Sequence, residues 1–229
     1  MRSASVRALA AGDAAASLVG LKVVRANVLS EEWFRKVGHF VRVLDRVRDV
    51  EGDVVECGVG AGKSFAVIAS LVRSSGNDRK LWGLSPWTRV DGWSHPSLSG
   101  ATQSEVRLRL KQMGVTSLAG IELIDGDVVS TLALVTGSIA FGHVDVVLAG
   151  AVRPCLEQLW PKLAPGGILS VGWFTSAAED PIESFLASLP NGEARLEHDA
   201  GWHDRPLIVK ARNALESDLH AGRVAAVPS

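Results

Sequence analysis

The segment Glu56-Cys57-Gly58-Val59-Gly60-Ala61-Gly62 carries the clearest chemical signal in the chain. Glycines at alternate positions allow a sharp turn and bring backbone N–H groups against a ligand. A helix starting there favours a carboxylate or phosphate at its N-terminus. Three ligands use such loops. A dinucleotide fingerprint needs Gly-x-Gly-x-x-Gly and an acid at the end of the next strand, whereas the spacing here is Gly-x-Gly-x-Gly and that strand ends in Leu84-Ser85. A phosphate-binding loop is a near miss. Gly62-Lys63-Ser64 is present, but Cys57 stands at the first glycine's position and Val147-Leu148-Ala149 supplies no acid for magnesium. S-Adenosylmethionine fits the loop best.

Other reactive types collect in loops. Residues 85 to 101 form a long aperiodic stretch, the kind that often serves as a functional lid, and it holds Trp87, Trp93 and His95. Trp173 and Phe174 follow a strand candidate, and Trp202 and His203 precede another. The four indoles suit an aromatic or hydrophobic substrate, or a positive sulfonium; packing of a lid or a dimer interface is the plainer reading. His95 is the first candidate for proton transfer because it shares the loop with tryptophans, and His203 is the second. His143 is expected to be structural, at the far end of the sheet, and nothing argues for chemistry at His39, His198 or His220.

The elements that must position these residues alternate along the chain. Ser30 caps a helix with Glu31 and Glu32 in its first turn, and Phe34, Val37, Val41, Leu44 and Val47 recur as its apolar stripe. Strands are expected at Asp53–Cys57, Leu81–Leu84, Ile121–Ile124, Val144–Leu148 and Ile168–Val171, with helices between them. A helix from Pro181 to Leu189 and strands at Ala194–Glu197 and Leu207–Lys210 complete the pattern. Such alternation predicts an α/β fold with a mostly parallel, doubly wound sheet covered on both faces. Ligands of open α/β sheets bind beyond the carboxyl ends of the strands, so the loops there matter most.

Composition narrows the classes. A chain 47% hydrophobic and 21% charged is globular rather than disordered. A formal charge of −1 gives no electrostatic reason to expect nucleic acid or an anionic membrane. Two cysteines, Cys57 and Cys155, make no disulfide framework and lack metal-ligand spacing, which suits a reducing cytoplasm. No segment has the character of a signal peptide or a membrane span. Residues 1–27 read as a tail or loose helix, 28–212 as one domain, and 213–229 as a terminal helix or tail.

Several of these segments resemble the macrocin O-methyltransferase family. They are Gly52-Asp53-Val54-Val55-Glu56-Cys57-Gly58-Val59 with Leu29-Ser30 ahead of it, Gly126-Asp127, and Leu159-Trp160-Pro161-Lys162-Leu163-Ala164-Pro165-Gly166-Gly167. The resemblance covers about residues 28 to 190. It implies a class I, Rossmann-like methyltransferase with a seven-stranded sheet whose last strand is antiparallel. Its members methylate sugar hydroxyls of bacterial natural products, usually with magnesium. Carried over by position, Glu56, Gly58, Gly60 and Gly62 form the methionine side of the cofactor site, and Asp127 lies near the adenine. Asp127 as a helix cap and Glu56 as a scaffold acid are the structural alternatives.

The departures from the family are specific. The ribose-binding acid after the second strand is replaced by Ser85, which offers one hydrogen bond. The aspartate expected after the fourth strand and the pair after the fifth are read as Ala149-Gly150-Ala151 and Gly172-Trp173, so no magnesium site is expected. The expectation is therefore a metal-independent methyltransferase for an oxygen or nitrogen of a small natural-product-like molecule. S-Adenosylmethionine is its cofactor and S-adenosylhomocysteine its product. Trp87, Trp93, Trp173 and Trp202 are expected to contact substrate. The alternatives are a cyclase or isomerase on the same fold, or a degenerate partner subunit. A homodimer is expected by analogy alone.

Overall fold

The computed structural model describes residues 30–87, 101–172 and 180–212. In chain order the elements are α1 (Glu31–Arg46), β1 (Asp53–Cys57), α2 (Lys63–Ser74), β2 (Leu81–Ser85), α3 (Gln103–Gln112), β3 (Ile121–Asp125) and α4 (Val128–Thr131). They continue with β4 (Ile139–Val144), α5 (Ala149–Leu159), β5 (Leu163–Val171), α6 (Pro181–Ala187), β6 (Ala194–Asp199) and β7 (Arg205–Lys210). The seven strands form one sheet in the order β3-β2-β1-β4-β5-β7-β6. β1 to β5 run parallel to one another, and β7 is antiparallel to both β5 and β6.

Strand periodicity divides the core into two layers. Val54, Leu81, Phe141 and Ile168 pack against Phe40, Phe65, Ile68, Val106 and Leu110 from α1, α2 and α3. Val55, Cys57, Leu84, Val144 and Leu169 face Val128, Val152, Leu156 and Phe185 from α4, α5 and α6. Chain reversal between β1 and β4, the neighbours at the centre of the sheet, opens the cleft at their carboxyl ends. Among the described residues no helix is long and apolar enough to cross a membrane.

Two expected features need correction. β4 ends at Val144, not Leu148, so the residue following it is Asp145 and not Ala149. Ala149 instead opens helix α5. The expectation of no carboxylate after the fourth strand is overturned. The stripe of α1 is also different. Ser30 does cap the helix, accepting from Trp33 N–H, but Phe34 is 61% exposed and Val41 47%. The side turned to the sheet carries Lys36, His39, Phe40, Val43 and Val47 at helical spacing, two of them ionisable. The buried face is part polar, so apolar residues alone do not mark it.

Candidate functional site

Glu56 is the penultimate residue of β1, with its side chain fully buried. Oε1 accepts from Ser64 Oγ, while Oε2 is buried and has no hydrogen-bond partner among the described residues. Burial pushes this carboxyl up to about 8, against the Ser64 hydrogen bond and the Lys36 charge. The acid is therefore only half-satisfied at the head of the glycine loop.

The loop itself depends on two positions that accept no side chain. Gly58 has φ +94°, and a Cβ there would lie 2.3 Å from the Asp145 carbonyl oxygen. Gly62, at φ +79°, starts α2 in the left-handed region; a Cβ would lie 2.9 Å from Val106 Cγ1. No side chain caps α2, which leaves its first-turn amides aimed at the cleft. Between them, Gly60 donates its N–H to Ser85 Oγ at 3.1 Å and accepts from Trp87 Nε1 at 3.1 Å. Cys57 belongs to the strand with its side chain in the core, so it cannot serve as the first residue of a phosphate-binding loop.

Across the cleft, three strands carry polar residues in register on the face turned to α1: Glu56 opposite His143, and His143 opposite Ser170. His143 is not at the far end of the sheet, where the sequence reading puts it; it lies in β4, one residue before its end, fully buried, with neither ring nitrogen hydrogen-bonded among the described residues. Burial pushes its imidazole down, towards the neutral form. Asp145 Oδ2 is 3.6 Å from His143 Nε2 and 2.7 Å from Lys36 Nζ. Burial alone would raise the Asp145 carboxyl, but the Lys36 ammonium and His143 outweigh it and hold the acid well below its usual range.

The turn from β6 to β7 completes this rim. Arg205 Nη1 reaches the Gly172 carbonyl at 3.4 Å, which places the turn at the carboxyl end of β5. Trp202 is buried with its ring 4.7 Å from His39 and 6.1 Å from His143, and it donates Nε1–H to Glu32 Oε1 at 2.8 Å. His203 is exposed and pairs with Glu32 Oε2 through Nε2. His203 and Asp204 both adopt left-handed backbone, at φ 46° and 55°. Few non-glycine residues do so.

Several expected site residues are engaged in local structure. Asp127 is the N-cap of α4, accepting from Ser130 N and Ser130 Oγ through Oδ1. Ser85 is buried with its oxygen on the Gly60 amide. Trp87 is buried on the loop, its backbone N–H held by Asp125 Oδ1 at 2.9 Å. Trp93, His95 and Trp173 lie outside the described residues. Lys36, His143 and Asp145 were not read as a group. The spacing of Lys36 with His39, Phe40, Val43 and Val47 was the available signal for the first. The correct end of β4 would have given the last.

The residues present fit S-adenosylmethionine at the loop: a glycine cradle, an uncapped helix start and a buried acid with a spare oxygen. Comparisons with known proteins agree with the fold. The O-methyltransferase NovP superposes with a TM-score of 0.60 at 17% identity, over 78% of this chain and 80% of NovP. The calicheamicin methyltransferase CalS11 gives 0.60 at 18% identity, over 82% and 84%. The O-methyltransferase TomG from Streptomyces achromogenes, solved with S-adenosylmethionine and involved in tomaymycin synthesis, gives 0.53 at 16%, over 76% and 79%. No curated protein sequence matches the chain. A family model described as a methyltransferase domain matches residues 55–172, more than half of the chain. The fold is that of a class I S-adenosylmethionine-dependent methyltransferase, and the chain belongs to the methyltransferase-domain family.

Proposed function

We propose that the chain transfers a methyl group from S-adenosylmethionine to an oxygen or nitrogen of a small natural-product-like molecule, and does so without a metal ion. The observation that carries the reading is the buried Glu56 oxygen, without a hydrogen-bond partner among the described residues, at the head of a loop whose Gly58 and Gly62 admit no side chain. A polar atom left unsatisfied inside a protein is costly, and a ligand with a matching polar group removes that cost. When bound, S-adenosylmethionine supplies an electrophilic methyl on a sulfonium centre.

The chain's own residues have three tasks in this reading. The loop from Gly58 to Gly62 and the start of α2 bind the amino-acid end, with Glu56 holding its polar head. Trp202, with Trp87, Trp93 and Trp173, walls the cleft for an apolar substrate. His95, or His203 on the Glu32 side, takes the proton released by the acceptor. Much of the rate then comes from holding the acceptor in line. NovP and TomG are O-methyltransferases, TomG in tomaymycin synthesis, and CalS11 is a TDP-rhamnose 3'-O-methyltransferase of calicheamicin biosynthesis; these support a natural-product acceptor, as does the resemblance to macrocin O-methyltransferases.

Calorimetry with S-adenosylmethionine and S-adenosylhomocysteine, with and without chelator, tests the reading. Binding by the native chain, unmoved by chelator and weakened at least about tenfold in Glu56→Gln, is the expected result. Absence of binding to both ligands would overturn it. Mass analysis of products then separates methyl transfer, which adds one methyl, from a cyclase or isomerase, which leaves the mass unchanged.

A further inference from the structure

Ligand atoms of Glu56, His143 and Asp145 all lie within 4.8 Å of one another. Glu56 and His143 are completely buried, and among the described residues Glu56 Oε2 and both imidazole nitrogens have no hydrogen-bond partner. Three donors of this kind, two carboxylates and an imidazole, are a first coordination sphere for a transition metal such as manganese, cobalt or zinc. The molecule places a cation beside them already. Lys36 Nζ stands 2.7 Å from Asp145 Oδ2, with its side chain only 15% exposed and the Trp202 and Phe40 rings at 5.2 and 6.0 Å.

We infer that Lys36 is a resident cation: its ammonium fills a divalent-metal site formed by Glu56, His143 and Asp145, and without it the cluster takes up metal. The inference rests on the metal-free part of the reading above, not on its cofactor. The magnesium of the resembling family does not fit here. Magnesium demands near-octahedral oxygen ligands and keeps several waters, whereas this cluster is buried and includes an imidazole. At position 172, where an acid would follow the fifth strand, a Cβ would lie 2.2 Å from Asp145 Oδ1, so an acid there would displace the Asp145 carboxylate rather than join it. Lys36 comes from α1, outside the matched span of residues 55–172. An ammonium is a compact charge with three donors on a flexible stem. It neutralises Asp145 where a metal would otherwise be needed, and it does so without a further ligand.

Cobalt(II) is the probe, because its bound and free forms differ in visible absorption. Native protein, Lys36→Met, Lys36→Arg and the double variant Lys36→Met/Asp145→Asn are titrated, with circular dichroism as the check on folding. One equivalent of cobalt bound by Lys36→Met, and none at this site by native, Lys36→Arg or the double variant, is the expected pattern. Cobalt uptake by native protein that Asp145→Asn abolishes would overturn the inference, as would a folded Lys36→Met that binds none. Should Lys36→Met be unfolded as purified, refolding with cobalt decides: recovery of the fold supports the site, and failure to recover it refutes it. S-Adenosylhomocysteine binding by the native chain is measured in parallel. Its absence would remove the methyltransferase reading and leave the cobalt result intact.

Discussion

His39 Nδ1 lies 2.6 Å from Asp199 Oδ2, and Nε2 of the same ring lies 2.7 Å from Ser170 Oγ. The order acid, imidazole, hydroxyl is that of a nucleophilic triad. Here His39 and Ser170 have no exposed surface, so no substrate reaches the hydroxyl. The arrangement is a clamp joining α1 to β5 and to the end of β6, and Arg42 closes it with two hydrogen bonds of 2.8 and 2.7 Å to Asp199.

The clamp makes stability depend on pH. Burial, with the charges of His143 and Arg42, lowers the His39 imidazole to about 4 against the raising effect of Asp199. The ring is thus neutral in the fold, donating from Nδ1 and accepting from Ser170 at Nε2. An unfolded histidine titrates near about 6.5, so the unfolded chain binds the extra proton first as pH falls. Stability is complete above about pH 6.5 and declines down to about pH 4, by on the order of 3 kcal/mol from this residue. Asp199, held below its ordinary range because Arg42 and His39 outweigh its burial, loses its contribution only at more acid pH. Urea unfolding between pH 7.5 and 4.5 measures the slope, and His39→Gln is expected to flatten it.

Gly58→Ala combines a left-handed φ with a contact of 2.3 Å to the Asp145 carbonyl. The backbone of the loop must move away from Asp145, since neither partner is a flexible side chain. Stability is expected to fall by about 2 kcal/mol or more, and affinity for S-adenosylhomocysteine by more than about tenfold. Thermal unfolding and calorimetry on one preparation check both.

Gly172→Ala would press a methyl onto Asp145 Oδ1 and turn that carboxylate away from Lys36. Its cost is expected to be non-additive with Asp145→Asn. A coupling of about 1 kcal/mol or more in the double-mutant cycle would show that both substitutions act through the same ion pair.

Trp202 separates packing from hydrogen bonding. Trp202→Phe keeps a ring against His39 and loses the N–H on Glu32, at an expected cost of about 1.5–3 kcal/mol for a bond to a charged acceptor. Trp202→Ala leaves a cavity as well and is expected to cost about 3–5 kcal/mol. Urea midpoints at pH 7.5 distinguish the two.

The alternation of strands and helices and the glycine loop could be read from residue types, because periodicity and glycine spacing are local properties. β4 could not. Ile139-Ala-Phe-Gly-His-Val contains a glycine and an imidazole, while Val144-Asp-Val-Val-Leu next to it has the stronger β-branched pattern. Tertiary pairing with β1 and β5 chose the weaker segment, and the shift moved Asp145 to the strand end. Lys36 was missed for a different reason. Its spacing with His39, Phe40, Val43 and Val47 marks the face it lies on, but its role is legible only once its partner, 109 residues away, is in place.

The position of α1 bears on where this protein ends as a working unit. The segment that identifies the family starts at Val55, after α1 has finished. A fragment cut to that segment would uncover Ser170 and His143 to water and strip Asp145 of its ammonium. It would also lose the side chains of Phe40, Val43 and Val47 from one of the two cores. The family-matched half of the chain therefore holds the cradle, and the helix before it holds the charge balance of the cleft. Relatives that share the cradle but differ in that helix are expected to differ in their need for metal.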